Sequence, residues 1–182
     1  MLYRESRFPE TIKMLSGERR FVPALVLRGK AEFFSNDDTR AEKTLSRALA
    51  LSPGNIEAAL YLSRILWEKG KAGEAKILTE KILGDDPQNI RALRLSAELV
   101  REGGSLGDAE AMVYLDRAAE ASSETALVFL DRARIRWIRG EAKAALEDLG
   151  RAGILLPPDS PLARSVTNLE SIINGQSGRF MP

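Results

Sequence analysis

The sequence contains no cysteine and no histidine among its 182 residues. The lack of cysteine excludes disulfides and thiol nucleophiles, and the lack of both residue types excludes the usual Cys/His zinc sites. The lack of histidine also removes the commonest acid–base catalyst at neutral pH. Most enzyme templates therefore have no counterpart here, and we expect a protein that is not an enzyme and that uses no cofactor or metal.

The chain also lacks a long apolar run and an excess of charge of one sign. No apolar run approaches the roughly 20 residues of a transmembrane helix, and the first twenty residues lack the apolar stretch of a secretory signal. The 27 Lys and Arg balance 26 Asp and Glu, for a formal net charge of +1. No global basic field exists to hold nucleic acid or an anionic membrane. We expect a cytoplasmic protein, or a soluble domain excised from a larger exported or membrane-anchored one, with no nucleic-acid partner and no membrane insertion.

The chain does contain a 34-residue period. Two similar turns, LSPGN and DDPQN, place Pro53 and Pro87 34 residues apart, and each turn is followed by two helical patterns separated by a glycine-containing segment. A fixed period of this length is typical of helical repeats. With residue 22 as position 1, the repeat units are 22–55, 56–89, 90–125 and 126–159, and the third unit has two extra residues.

Small side chains recur at positions 8, 20 and 27 of the unit. Ile82 is the single large residue among these positions, which hold Gly29, Ser63, Ala97 and Ala133, then Ala41, Ala75, Ala111 and Ala145, then Ala48, Ile82, Ala118 and Ala152. Small side chains at a fixed spacing let two helix axes approach closely. The pattern therefore predicts closely packed helix pairs.

Local signals predict where these helices begin and end. Asn55 and Asn89 are suitable N-caps, and Gly70, Gly104 and Gly140 lie where a residue with positive φ would end the first helix of a pair. The predicted paired helices are 22–35, 38–50, 56–69, 72–84, 90–102, 108–121, 125–139 and 142–154. A shorter helix is predicted over 9–16.

This pattern resembles the tetratricopeptide repeat family, whose units are antiparallel helix pairs stacked into a superhelix. The segments ALVLRGKAEFFSNDDTRAEKTLSRALALSPG, AALYLSRILWEKGKAGEAKILTEKILGDDPQN and VFLDRARIRWIRGEAKAALEDLGRAGILLPP carry the resemblance. Arg28 and Arg132 lie where the family often has leucine. The resemblance implies an all-α fold, a right-handed α-α superhelix or solenoid of about four helix pairs with a C-terminal capping helix.

The resemblance also implies a division of the chain into three parts. Residues 1–21 are expected to form an N-terminal segment with a short capping helix or half-repeat, and residues 22–159 the four repeats. Residues 160–182 are expected to form a capping helix, over 160–174, and a frayed tail. The apolar residues of this helix follow a helical spacing, as expected for a helix that covers the last repeat: Leu162, Val166, Leu169 and Ile173.

In this family the first helix of each pair lines the concave surface. At about 100° per residue, unit positions 2, 5, 6, 9, 12 and 13 share one arc opposite the packing positions. We call this arc the first-helix face. It is predicted to be mildly basic and partly apolar, with several leucines, and its candidate peptide-binding residues are Lys30, Phe34, Tyr61, Arg64, Arg94, Glu98, Asp131 and Arg134.

Such a face suits a peptide with acidic and apolar side chains, since arginine pairs with carboxylates and aromatic rings provide rigid apolar area. We therefore expect a scaffold or adaptor that binds another protein or peptide in the concave groove. Two alternatives stay open. The chain could be a structural module that forms homo-oligomers, or a chaperone-like holder of a secreted or membrane-complex client. Trp67 and Trp137 are expected to pack inward rather than to contact a ligand.

Overall fold

In the computed structural model the chain divides into two compact units, Met1–Pro87 and Gln88–Pro182. The structure describes residues 8–17, 20–101, 105–122 and 124–177. Across these residues the regular secondary structure consists of ten α-helices and includes no strand. The predicted all-α architecture is therefore confirmed.

The first unit contains five helices in antiparallel succession. Each helix packs on the next one, and α2 also contacts α4, so that the first helices of two consecutive pairs lie side by side. The five helices are α1 (Phe8–Leu15), α2 (Val22–Phe34), α3 (Asp38–Leu51), α4 (Ile56–Glu68) and α5 (Ala72–Asp85).

The second unit also contains five helices, and each of them packs on the next. The apolar residues of α9 and α10 share one core with Phe129, in which Val166 and Ile173 are buried. The last helix therefore covers the final pair, as the spacing of its apolar residues predicts. The five helices are α6 (Ile90–Val100), α7 (Ser105–Ala121), α8 (Ala126–Ile138), α9 (Ala142–Ile154) and α10 (Pro161–Ser177).

The predicted caps account for the observed helix bounds. Asn55 Oδ1 accepts the backbone N–H of Ala58 at 2.8 Å, and Asn89 caps α6 in the same way. Gly70 and Gly140 have φ values of 76° and 80°, which favour glycine. Gly104 lies outside the described residues. Helix α10 extends through Ser177, three residues beyond its predicted end at residue 174, and residues 178–182 lie outside the described residues.

The small-residue positions are confirmed as packing positions, since all twelve residues are buried. Gly29 shows how close the contact is: a Cβ atom added there would lie 2.6 Å from Leu45 Cγ on α3. Leu45 is itself fully buried. The helix pair α2–α3 can therefore approach this closely only because residue 29 is a glycine.

Candidate functional site

The candidate residues fall into two groups, one in each unit. Lys30 and Phe34 lie on α2, and Tyr61 and Arg64 lie on α4. The other four residues belong to the second unit, with Arg94 and Glu98 on α6 and Asp131 and Arg134 on α8.

Aromatic rings dominate the group in the first unit. Phe34 stacks on Phe8 of α1, with 5.5 Å between the ring centroids and 17° between the ring planes. Tyr61 meets Phe34 edge-on at 5.9 Å, and Phe33 meets both rings in the same manner. Centroid distances of this size are typical of favourable aromatic pairs. Phe34 nevertheless stays 47% exposed, so much of its ring faces solvent.

The rings of Phe8, Phe34 and Tyr61 border an open cavity of about 590 Å³, which we call the aromatic pocket. The volume is typical of a site for a small ligand or for a few side chains of a peptide. Helices α1, α2 and α4 and the turn after α2 contribute its lining residues, which are Phe8, Pro9, Lys30, Phe34, Ser35, Asn36 and Tyr61. The structure thus gathers three of the eight candidate residues around one cavity.

Helix α1 is fixed as a wall of the aromatic pocket by Arg28. The Arg28 guanidinium donates to the carbonyl oxygens of Leu15 and Ser16 at 3.3 and 3.4 Å, at the C-terminal end of α1. It also donates to Thr44 Oγ1 on α3 at 2.8 Å and pairs with Glu32 of its own helix at 3.2 Å. A cation at a helix C-terminus is favourable, because the final carbonyls carry partial negative charge. One side chain therefore connects three helices.

Ion pairs dominate the group in the second unit. Arg94 Nη2 lies 2.6 Å from Asp131 Oδ2, and its Nε donates to the same oxygen at 2.7 Å. Arg134 reaches Asp131 Oδ1 at 3.5 Å from the adjacent turn of α8. One half-buried carboxylate therefore joins two of the predicted arginines.

Each of the four central cations of the first-helix face has a carboxylate partner, which reduces the attraction that this face offers to an acidic ligand. In the first unit Lys30 Nζ lies 2.6 Å from Glu57 Oε1, and Arg64 Nε lies 3.9 Å from Glu68 while its guanidinium covers the Trp67 ring. In the second unit Asp131 pairs with both arginines. The positive charges are thus largely balanced within each unit.

Part of the apolar surface predicted for this face is not accessible to a partner. Its residues at positions 5 and 6 include four that are buried, namely Val26, Leu60, Leu95 and Leu130. In the first unit α2 and α4 each pack against several neighbouring helices, including each other, so less of their surface is exposed than in an isolated helix. The part of this face that a partner can reach is therefore narrower than the angular argument predicts.

The two tryptophans lie at the edge of the packed interior, and each is half-buried. Trp137 packs against the core that contains Phe129 and Leu149, as predicted. Trp67 lies under the Arg64 guanidinium, whose carbon is 5.1 Å from the ring centroid.

Sequence reasoning missed a buried ionic cluster, which we call the Asp148 network. Asp148 of α9 accepts from Arg132 Nε at 2.8 Å, from Arg132 Nη2 at 2.5 Å and from Arg136 Nη1 at 2.8 Å. Asp116 of α7 accepts from Arg132 Nη1 at 3.0 Å. The hydrogen bond to Asp148 raises the pKa of Arg132, against the opposing effect of burial. Two features of the sequence could have indicated this network. Arg132 replaces the leucine that the family often has, and Asp148 follows it sixteen residues later on the partner helix.

Sequence reasoning also missed Phe8, which lies one residue before the predicted start of α1 and has no counterpart in the repeat pattern. Within the part of the chain that the structure describes, no group of three or more acidic side chains is gathered as a metal site would need. No helix among those residues is both long and apolar enough to cross a bilayer. The compartment stays a prediction.

Comparisons with known proteins define the class to which this architecture belongs. A tetratricopeptide repeat model matches residues 36–99. A comparison of the sequence with curated proteins found no match. Several solved structures have similar folds.

A thermophilic tetratricopeptide repeat protein of Thermus thermophilus has a TM-score of 0.73 and 20% identity, covering 87% of this chain and 84% of that chain. A tetratricopeptide repeat protein of Parabacteroides merdae has a TM-score of 0.77 and 18% identity over 93% of this chain and 64% of that chain. YrrB, described as having an unusual peptide-binding site, has a TM-score of 0.62 and 15% identity over 93% of this chain and 84% of that chain.

These likenesses show the fold, which is that of a protein made of repeated α-helical hairpins. The resemblance to the tetratricopeptide repeat family is confirmed, since the repeat model matches residues 36–99 and the solved structures show that the chain has the all-α helical-solenoid fold of these proteins. Tetratricopeptide repeat folds generally serve as scaffolds for protein–protein interaction.

Proposed function

We propose that this protein is a non-catalytic scaffold that binds a peptide, or an extended segment of another protein, on the first-helix face. The observation that carries the proposal is the aromatic pocket in the first unit, where Lys30, Phe34 and Tyr61 border one cavity. The peptide-binding site described for YrrB, a protein of similar fold, supports the same class of function.

The exposure of Phe34 supports a binding role over a purely structural one. Its ring is 47% exposed beside a cavity that two further aromatic rings line, so it forms part of an accessible aromatic surface. Aromatic side chains in such positions often dominate an interface, and truncating one typically costs about 2 kcal/mol or more of binding free energy. That loss corresponds to about a thirtyfold lower affinity.

The balanced charges support recognition by shape and by specific pairs rather than by general attraction. Because Lys30, Arg94 and Arg134 already have carboxylate partners, a random acidic chain gains little from them. A partner is held only where its own carboxylates and apolar groups match the local arrangement.

The proposal can be tested by selecting displayed random peptides on the immobilised protein. Selected peptides are then measured against a first-helix variant, Arg64→Glu with Arg94→Glu, and against a control on the second helix of a pair, Lys76→Glu with Lys81→Glu. We expect binding to be lost in the first variant and retained in the control, with helicity unchanged in both. Peptides that bind the first variant normally but fail on the control would place the site on the second helices and refute the proposal.

A further inference from the structure

We infer that the aromatic pocket binds an aromatic side chain of the partner that has a carboxylate next to it in sequence. This inference rests on the proposed function and names the chemistry that one part of the first-helix face would recognise. The proposed recognition depends on Phe8 and Lys30 as well as on the rings of Phe34 and Tyr61.

The aromatic specificity follows from the arrangement of the rings. Phe8, Phe34 and Tyr61 form both stacked and edge-on pairs, and all three line the same cavity. A further ring can meet these rings in the geometries that aromatic pairs favour. Pro9 adds an apolar surface, while the Ser35 hydroxyl and the Asn36 amide can hydrogen-bond to the backbone of a bound peptide.

The charge of the pocket selects against a cationic ligand. Aromatic cages often bind methylated ammonium groups through cation–π attraction. Here Lys30 Nζ already lies 5.4 Å from the Tyr61 ring centroid, and Lys30 carries the one formal charge among the described residues that line the cavity. A second cation would have to displace Lys30 from the Tyr61 ring, whereas a partner carboxylate would share the ammonium with Glu57.

Helix α1 is held against α2 by contacts at both of its ends. The hydrogen bonds from Arg28 to the last carbonyls of α1 keep that helix in place, and Phe8 at its opposite end is 7% exposed and stacked on Phe34. A wall that is already ordered lowers the entropic cost of binding.

The experiment uses the peptide acetyl-Gly-Ser-Asp-Phe-Asp-Ser-Gly-amide with 4-fluorophenylalanine at its centre, observed by fluorine NMR during titration with the full chain. Two matched peptides replace both aspartates with asparagine or with lysine. We expect the asparagine peptide to bind about fivefold more weakly, the size of a partly exposed ion pair, and the lysine peptide to bind more weakly still. An unlabelled peptide with alanine at the centre should compete at least about tenfold less well than its phenylalanine counterpart.

Matched protein variants locate the effect. Lys30→Gln should remove the preference for aspartate over asparagine, while Arg134→Gln, at the same repeat position in the second unit, should leave it intact. Phe34→Ala should weaken all three fluorinated peptides about tenfold or more, and Ile138→Ala, also an exposed apolar residue at position 13, should not. Phe8→Ala should resemble Phe34→Ala, with the exposed Met14→Ala on the same helix as its control.

Equal affinity for the aspartate and asparagine peptides, or a preference that survives Lys30→Gln, would overturn the inference. So would binding that does not depend on Phe34. The selection of displayed random peptides distinguishes this inference from the proposed function. Selected peptides that need the first-helix face but ignore Phe34 and Lys30 would leave the proposed function intact and refute only the chemistry assigned to the pocket.

Discussion

Replacing Asp148 with alanine should destabilise the protein strongly, because this carboxylate balances two buried or half-buried arginines. Its side chain is 1% exposed and accepts three hydrogen bonds, two from Arg132 and one from Arg136. Removing one partner of a buried ion pair typically costs about 3–5 kcal/mol. We expect about 3 kcal/mol, the lower end, because Arg132 keeps Asp116 and Arg136 keeps the carbonyl of Ala144. That cost is a large part of the roughly 5–15 kcal/mol that stabilises a typical domain.

The measurement is urea unfolding followed by circular dichroism at 222 nm, with the slope of the transition compared between variants. Asp148→Asn keeps the shape but not the charge, and it should cost nearly as much as Asp148→Ala. The double variant Arg132→Leu with Asp148→Leu mimics the second repeat, which has Leu62 and Leu78 at these positions. It should be more stable than Asp148→Leu alone, since no charge on Arg132 is left unbalanced. This reasoning would be refuted if the free energy of unfolding of Asp148→Asn lay within about 0.5 kcal/mol of that of the wild type. It would also be refuted if the cost of the double variant equalled the sum of the costs of Arg132→Leu and Asp148→Leu.

Three further perturbations test the packing and the remaining charges. Ala75→Leu should lower the free energy of unfolding in urea by about 1–3 kcal/mol, because it overpacks the contact between α4 and α5. Lys76→Leu, on the exposed side of α5, should change it by no more than about 0.5 kcal/mol. Equal costs would mean that the helix faces are wrongly assigned. Ile173→Asp should place an unpaired carboxylate in the core under α10, lower Tm and promote association measured by light scattering, whereas the exposed Asn168→Asp should do neither. The hydrogen bond from Lys69 lowers the pKa of Glu42 below its ordinary value of 4.5. At pH values above 4.5 the wild type should therefore be more stable to unfolding than Glu42→Gln, by at most about 1 kcal/mol. This difference should disappear as the pH falls through the lowered pKa, and a difference that instead grows in acid would show that the pair is not stabilising.

The helices and their contacts could be predicted from the sequence because the signals are local or strictly periodic. Asn55 and Asn89 accept hydrogen bonds from backbone N–H groups three residues later, so both partners of each interaction lie close together in the sequence. The alanines at position 20 repeat with the unit, and each of them packs inside its own helix pair. Such features do not depend on how neighbouring pairs are rotated.

The candidate site was predicted less well because it depends on those rotations. The angular argument treats one helix alone, so it counts Val26 and Leu60 as accessible although both are buried in the packed structure. The partner of Lys30 is Glu57, 27 residues away on α4, and no local rule pairs the two. Phe8 lies outside the repeats altogether, so a periodic pattern contains no information about it.

The two arginines at position 7 limit how freely the repeats of this protein could be exchanged or duplicated. Position 7 contacts position 23 of the same hairpin in the first and fourth repeats, where Arg28 donates to Thr44 and Arg132 to Asp148. The second repeat has leucine at both positions. Moving only the first helix of one repeat into another would leave an arginine facing a leucine, or a carboxylate without its cation. Complete hairpins are therefore the smallest interchangeable parts of this chain. Arg28 adds a further restriction, since it also needs the carbonyls of α1, and a copy of its hairpin in the interior of the array would lack them.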